Sequence, residues 1–63
     1  MELHIMWSNG TKLGRTHRIT VWPASSIQHA HEIADRQSQY DGFVAAILHS
    51  EGRIETIKIA DGN

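Results

Sequence analysis

The sequence contains no cysteine among its 63 residues. Neither disulfide bonds nor a zinc site with thiolate ligands can therefore stabilise the fold, and the absence of cysteine fits a reducing compartment. A chain of this length buries only about 60% of the surface that its unfolded state exposes. We therefore expect residues 1–63 to form a single domain with a small core.

Long apolar runs are also missing, since no stretch approaches the ~20 apolar residues of a membrane-spanning helix. The net charge is −1 with neutral histidines, which disfavours general affinity for nucleic acid. A nucleophile elbow, a phosphate-binding loop and a His-Glu-x-x-His motif are absent as well. We therefore expect no membrane span, no direct specific binding of nucleic acid, no catalytic residue and no cofactor.

Proline is scarce, and the single proline, Pro23, ends the second of two predicted strands. The apolar residues of the two strands share odd positions: Leu3, Ile5 and Trp7 in ELHIMW, and Ile19 and Val21 in RTHRITVW. A two-residue turn would place odd residues opposite even ones and separate these side chains onto different faces. We therefore predict a wide connection of odd length, at about residues 8–15.

The stretch SSIQHAHEIADRQ, residues 25–37, has the pattern of an amphipathic helix. Ser25 or Ser26 can cap its N-terminus. One face carries Ile27, Ala30, Ile33 and Ala34, spaced at about 100° per residue. Gly42 is a candidate C-terminal cap. The pattern predicts a helix from about residue 26 to residue 39.

This helix also contains His29 and His31. On a helix, two residues that are two positions apart point in directions that differ by about 200°, so these side chains cannot bind one metal ion together. His31 and Asp35 can share a side of the helix, but two ligands do not make a site. We therefore predict no metal centre, and we interpret both histidines as boundary residues of an amphipathic helix.

A second hairpin is predicted by FVAAILHSEGRIETIKI, in which Glu51-Gly52 is a natural two-residue turn. That register pairs Val44 with Ile59, Ala46 with Ile57 and Leu48 with Glu55. The opposite face then carries Phe43, Ile47, His49 and Ile54. Because both faces of the third strand are apolar, we expect it to lie in the centre of the sheet.

Together these elements predict an α+β fold of ββαββ order, a four-stranded, mainly antiparallel sheet with one helix packed on one face. The predicted core places the apolar residues of the helix against Ile5, Ile19, Val21, Val44, Ala46, Ile57 and Ile59. One helix covers one face only, so the other face leaves apolar residues, among them Met6 and Trp22, in contact with water. Such a face indicates either a partner or homodimer interface or ordinary scattered surface residues.

The helix and the second hairpin resemble a small phage-encoded anti-CRISPR family that inhibits type I-F surveillance complexes. The resemblance covers SIQHAHEIADRQSQYDGFVAAI and EGRIETIKIADG, about 40 of the 63 residues. The shared positions are Ser26, Ile27, Ala30, Ile33, Ala34, Arg36, Tyr40, Gly42, Val44, Ile47, Gly52 and Lys58, with Asp61 and Gly62 shifted by one residue. The first two strands match the family only in type.

The resemblance implies a non-enzymatic inhibitor in the cytoplasm of the bacterial host. Members of the family bind protein subunits of the crRNA-guided complex and cover the surface on which target DNA lies. The implied partner-binding residues are Arg36, Lys58, His31, Ser38 and Tyr40; His31 stands where the family has lysine, and Ser38 where it has a longer amide. We expect Arg36 on the polar side of the helix and Lys58 on the sheet face away from the helix, so that the two lie on different sides of the domain. The alternative is a small homodimeric phage accessory protein without catalytic activity.

Overall fold

The structure, a computed structural model, describes residues 1–11 and 14–60. Four strands and one helix follow in the order β1 (Glu2–Thr11), β2 (Gly14–Pro23), α1 (Ile27–Gln37), β3 (Phe43–Ser50) and β4 (Arg53–Ile59). The strands form one antiparallel sheet in the spatial order β2-β1-β3-β4. The predicted ββαββ fold and the central position of the third strand are confirmed.

Helix α1 begins after Ser26, whose hydroxyl oxygen accepts a hydrogen bond of 3.0 Å from the backbone N–H of His29. Ser26, rather than Ser25, is therefore the N-terminal cap. At the other end Ser38 is the capping residue, and its N–H donates to the carbonyl oxygen of Ala34. The prediction of Gly42 as the cap was wrong, because the helix ends before it, and Gly42 adopts a φ of 90° in the connection to β3.

The first hairpin differs from the prediction of a wide connection. Strands β1 and β2 pair continuously from Glu2 with Pro23 to Thr11 with Gly14, so odd residues lie opposite even ones. Ile19 and Val21 consequently point away from the helix and are 58% and 51% exposed. The physical reason is that the backbone hydrogen bonds of a continuous ladder over two ten-residue strands stabilise the hairpin more than burying two β-branched side chains would. Residues 12–13, part of the predicted connection, lie outside the described residues.

The second hairpin turns at Glu51-Gly52 as predicted, with φ values of 50° and 78°. Two successive positive φ values are the signature of a type I′ turn, which matches the twist of the strands that it joins. The predicted pair of Leu48 with Glu55 is confirmed.

Beyond this pair the register departs from the prediction, because an irregularity between Ala46 and Ile47 shifts it by one residue. Ala46 consequently pairs with Lys58 and Ala45 pairs with Ile59. The side chain of Lys58 therefore lies on the helix side of the sheet, and Ile59 points away from the helix. The predicted pairs of Ala46 with Ile57 and of Val44 with Ile59 were therefore wrong.

The core lies between α1 and the two central strands. It consists of Leu3, Ile5, Trp7, Ala24, Ala30, Ile33, Ala34, Phe43, Ala46 and Leu48, with Ile57 and Ala60 packed against it in part. Five predicted core residues are confirmed: Ile5, Ala30, Ile33, Ala34 and Ala46. The prediction was wrong for Ile19, Val21, Ile27, Val44 and Ile59, which are exposed. It was also wrong for Phe43, which a second irregularity of β3 places opposite Trp7.

Candidate functional site

The helix covers the sheet unevenly. Among the described residues α1 contacts β1, β3 and β4 but not β2. The helix-side face of β2 therefore stays open, and Arg18, Thr20 and Trp22 lie on it, because they pair with the odd residues of β1. Together with the turn after the helix they bound a surface depression, which we call the aromatic hollow; its lining residues are Trp7, Arg18, Thr20, Trp22, Gln37, Tyr40 and Asp41.

Thr20 holds the two indole rings of the hollow in place. Its hydroxyl oxygen accepts a hydrogen bond of 2.8 Å from Nε1 of Trp7 and one of 3.3 Å from Nε1 of Trp22. Trp7 is buried, so this acceptor satisfies an indole N–H that water cannot easily reach. The fold therefore fixes the position of the Trp7 ring, and the more exposed Trp22 ring is tied to the same oxygen by a longer bond.

The four aromatic residues of the chain, two tryptophans, one tyrosine and one phenylalanine, gather at this place. Phe43 packs edge to face against Trp7 at a centroid distance of 6.0 Å. Tyr40 is 60% exposed and lines the rim of the hollow. The guanidinium group of Arg18 lies 5.8 Å from the centre of the Trp7 ring, which is within cation–π range. Exposed tryptophan, tyrosine and arginine are the residue types that dominate protein-binding energies.

The five residues predicted from the resemblance do not form one cluster. Tyr40 lines the aromatic hollow. Nζ of Lys58 donates to Oδ1 of Asp35 at 2.9 Å, which ties Lys58 to the helix. Arg36, one position after Asp35, points about 100° away from it. The expectation that Lys58 lies on the sheet face away from the helix was therefore wrong.

The remaining two predicted residues have simpler surroundings. Oγ of Ser38 donates to the carbonyl oxygen of Asp35 at 2.7 Å, which uses its hydroxyl hydrogen in the end of the helix. His31 is exposed. The sequence pattern missed Arg18 and Trp22 because their face depends on the register of the first hairpin. A signal for this site was available in the sequence, namely the small number of aromatic residues, which gather at the hollow.

Breaking the contact between Lys58 and Asp35 is expected to have little effect on folding. Both side chains are well exposed, at 37% and 69%, and ion pairs of this kind contribute about 0–1 kcal/mol. Urea unfolding of Lys58→Met, Asp35→Asn and the double variant forms a cycle that isolates the pair. A coupling energy well above 1 kcal/mol would contradict the assignment of this contact as a weak surface pair.

The other face of the sheet has no helix over it. We call it the open face; the strand registers place on it Glu2, His4, Met6, Ser8, His17, Ile19, Val21, Pro23, Ala45, Ile47, His49, Ile54, Thr56 and Ile59. Near the end that carries Glu2, the rings of His4 and His49 stack at a centroid distance of 3.7 Å and an angle of 19°. Oε1 of Glu2 lies 3.4 Å from Nε2 of His4. Glu2, Ser8, Thr56 and the histidines are the polar residues of this face whose side chains are described, and the others are apolar.

The helical histidines have separate surroundings. Nδ1 of His29 accepts a hydrogen bond of 3.0 Å from the backbone N–H of Ser25, whereas His31 points into solvent. Within residues 1–11 and 14–60, no three histidine, aspartate or glutamate side chains come together in a way that fits a metal ion. In the same part of the chain, the helix is too short and too polar to cross a membrane.

Comparisons with protein-family models, with curated proteins and with solved structures found no match. The geometry of the hollow and of the open face therefore carries the functional interpretation, together with the resemblance of the helix and second hairpin.

Proposed function

We propose that the chain is a non-catalytic protein-binding domain and that the aromatic hollow is the centre of its binding surface. The observation that supports this function best is the convergence of Trp7, Trp22, Tyr40 and Arg18 beside a strand that the helix leaves uncovered. The ring positions are held by Thr20 and Phe43. A rigid surface loses little conformational entropy on binding, which favours affinity.

The proposed partner is a type I crRNA-guided surveillance complex, as the resemblance to the anti-CRISPR family implies. In this proposal the chain acts in the cytoplasm of the bacterial host and blocks target DNA by occupying the protein surface on which the DNA lies. The net charge of −1 supports a protein rather than a nucleic acid as the direct partner, since nucleic-acid affinity depends on neutralising phosphates. Arg18 supplies positive charge to the aromatic hollow.

The test is a target-DNA binding assay with purified type I-F complex, and then with other type I complexes, at fixed salt. We expect the wild-type chain in excess to prevent DNA binding. Trp22→Ala and Tyr40→Ala are each expected to weaken inhibition by tenfold or more, since a centrally placed aromatic side chain contributes about 2 kcal/mol or more to binding. Gln28→Ala, an exposed change on the helix away from the hollow, is the control and should leave inhibition unchanged.

Arg36→Glu should weaken inhibition chiefly through a slower association rate that depends on salt, because rim charges act on encounter. Thermal unfolding of each variant separates a loss of binding from a loss of folding. If the folded wild-type chain in large excess binds none of the complexes and leaves their DNA binding intact, the inhibitor function is wrong.

A further inference from the structure

We infer that the open face is the interface of a homodimer, in which two copies of the chain pack sheet against sheet. Four of its large apolar side chains, Ile19, Val21, Ile54 and Ile59, are between 51% and 71% exposed. They flank the half-buried Met6 and Ile47 of the central strands, so the apolar surface runs across all four strands. Single exposed apolar residues are ordinary, but a continuous patch on a small protein marks an interface.

The amount of exposed surface matches what a dimer needs. The accessible surface of the chain is 4887 Å², whereas a compact monomeric protein of 7.1 kDa exposes about 4100 Å². The surplus of roughly 800 Å² equals the area that each partner contributes to an interface of standard size.

The charges of the open face favour a second copy over other partners. Arg18, Arg53 and Lys58 all fall on the helix side by their strand registers, and no lysine or arginine among the described side chains lies on the open face. The part of the open face with described side chains therefore offers no lysine or arginine to phosphates of nucleic acid or to anionic lipid. An apolar, nearly neutral surface is instead suited to a matching apolar surface.

A two-fold axis relates the two copies in this dimer. An axis that lies between the sheets and crosses the strands near Ile5 brings Glu2 of one copy over the pair of Ser8 and His17 in the other. The same face of both copies then meets in a closed two-fold dimer, with its sheets about 10 Å apart.

In this dimer both helices and both aromatic hollows face outward. The dimer goes beyond the proposed function and does not depend on it, because the hollow and the open face lie on opposite sides of the sheet. A chain that dimerises but inhibits no surveillance complex would leave this inference intact. A chain that inhibits a complex but stays monomeric would leave the proposed function intact.

The experiment is sedimentation equilibrium of the purified chain from micromolar to sub-millimolar concentration. We expect a species of about twice the 7.1 kDa chain mass. Ile19→Lys and Ile54→Lys each place a charge in the interface at an exposed position and should raise the dissociation constant at least 100-fold. Ile27→Lys is the matched control, because Ile27 is similarly exposed, at 59%, but lies on the helix side; it should leave the dimer unchanged.

Circular dichroism of each variant shows whether it folds, and Val21→Lys replaces either interface variant that does not. A wild-type chain that stays monomeric at sub-millimolar concentration overturns the inference, even if the open face then captures a different protein. Dimers that persist in all folded interface variants, or that are lost equally in Ile27→Lys, overturn it as well.

Discussion

Replacing Ile5 by alanine is expected to remove a large part of the stability of the protein at 25 °C. Ile5 is completely buried in the middle of β1, where it pairs with Thr20 on one side and Ala46 on the other. Truncating a buried isoleucine to alanine costs about 2–5 kcal/mol, because apolar contacts are lost and a cavity remains. At about 0.05–0.15 kcal/mol per residue, a chain of this size has only about 3–9 kcal/mol of stability in total.

Urea unfolding followed by circular dichroism at low protein concentration measures this effect. Ile27→Ala is the control, because it removes the same atoms from a side chain that is 59% exposed, and it should change the free energy of unfolding by less than about 1 kcal/mol. Equal loss in both variants would mean that the assigned core is wrong.

Replacing Thr20 by valine is expected to cost about 1–3 kcal/mol, although the two side chains have nearly the same shape. The change removes the oxygen that accepts hydrogen bonds from both Trp7 and Trp22. The indole N–H of Trp7 then loses its partner in a part-buried place, and an unsatisfied buried donor carries its full desolvation penalty. Trp22 is more exposed, so water can replace its bond at smaller cost.

Thr20→Ser is the matched control, because it keeps the acceptor oxygen and loses only a methyl group. Urea unfolding of the two variants gives the comparison, and tryptophan fluorescence of the folded proteins reports the positions of the rings. A valine variant as stable as the serine variant would contradict the role assigned to this hydroxyl.

The elements with local signals could be predicted from the sequence. The serine cap, the 100° spacing of Ala30, Ile33 and Ala34, and the Glu51-Gly52 turn each act within a few residues, and the structure has them all. The first hairpin has no such signal, because β2 carries Ile19 and Val21 on one face and Thr20 and Trp22 on the other. Either register leaves large side chains in water, so the pattern alone could not select one.

The ambiguous register of the first hairpin also limited how much of the candidate site could be predicted. Tyr40 was named through the resemblance of the helix and second hairpin, whereas Arg18 and Trp22 join it only in the register that the structure has. The shift between Ala46 and Ile47 likewise moved Lys58 to the helix side. Such irregularities depend on how β3 fits both of its neighbours, and no short stretch of sequence encodes that fit.

The strand order β2-β1-β3-β4 also shapes the route by which the chain folds. Each outer strand pairs with its neighbour in sequence, so both hairpins can close early and independently. In the described sheet, the seam between β1 and β3, which joins Ile5 to Ala46, is the ladder between distant segments. Its closure carries the largest loop entropy, and slow steps in folding follow such non-local pairings. We therefore expect α1 to act as the tether that brings two preformed half-sheets together, with their docking as the slow step.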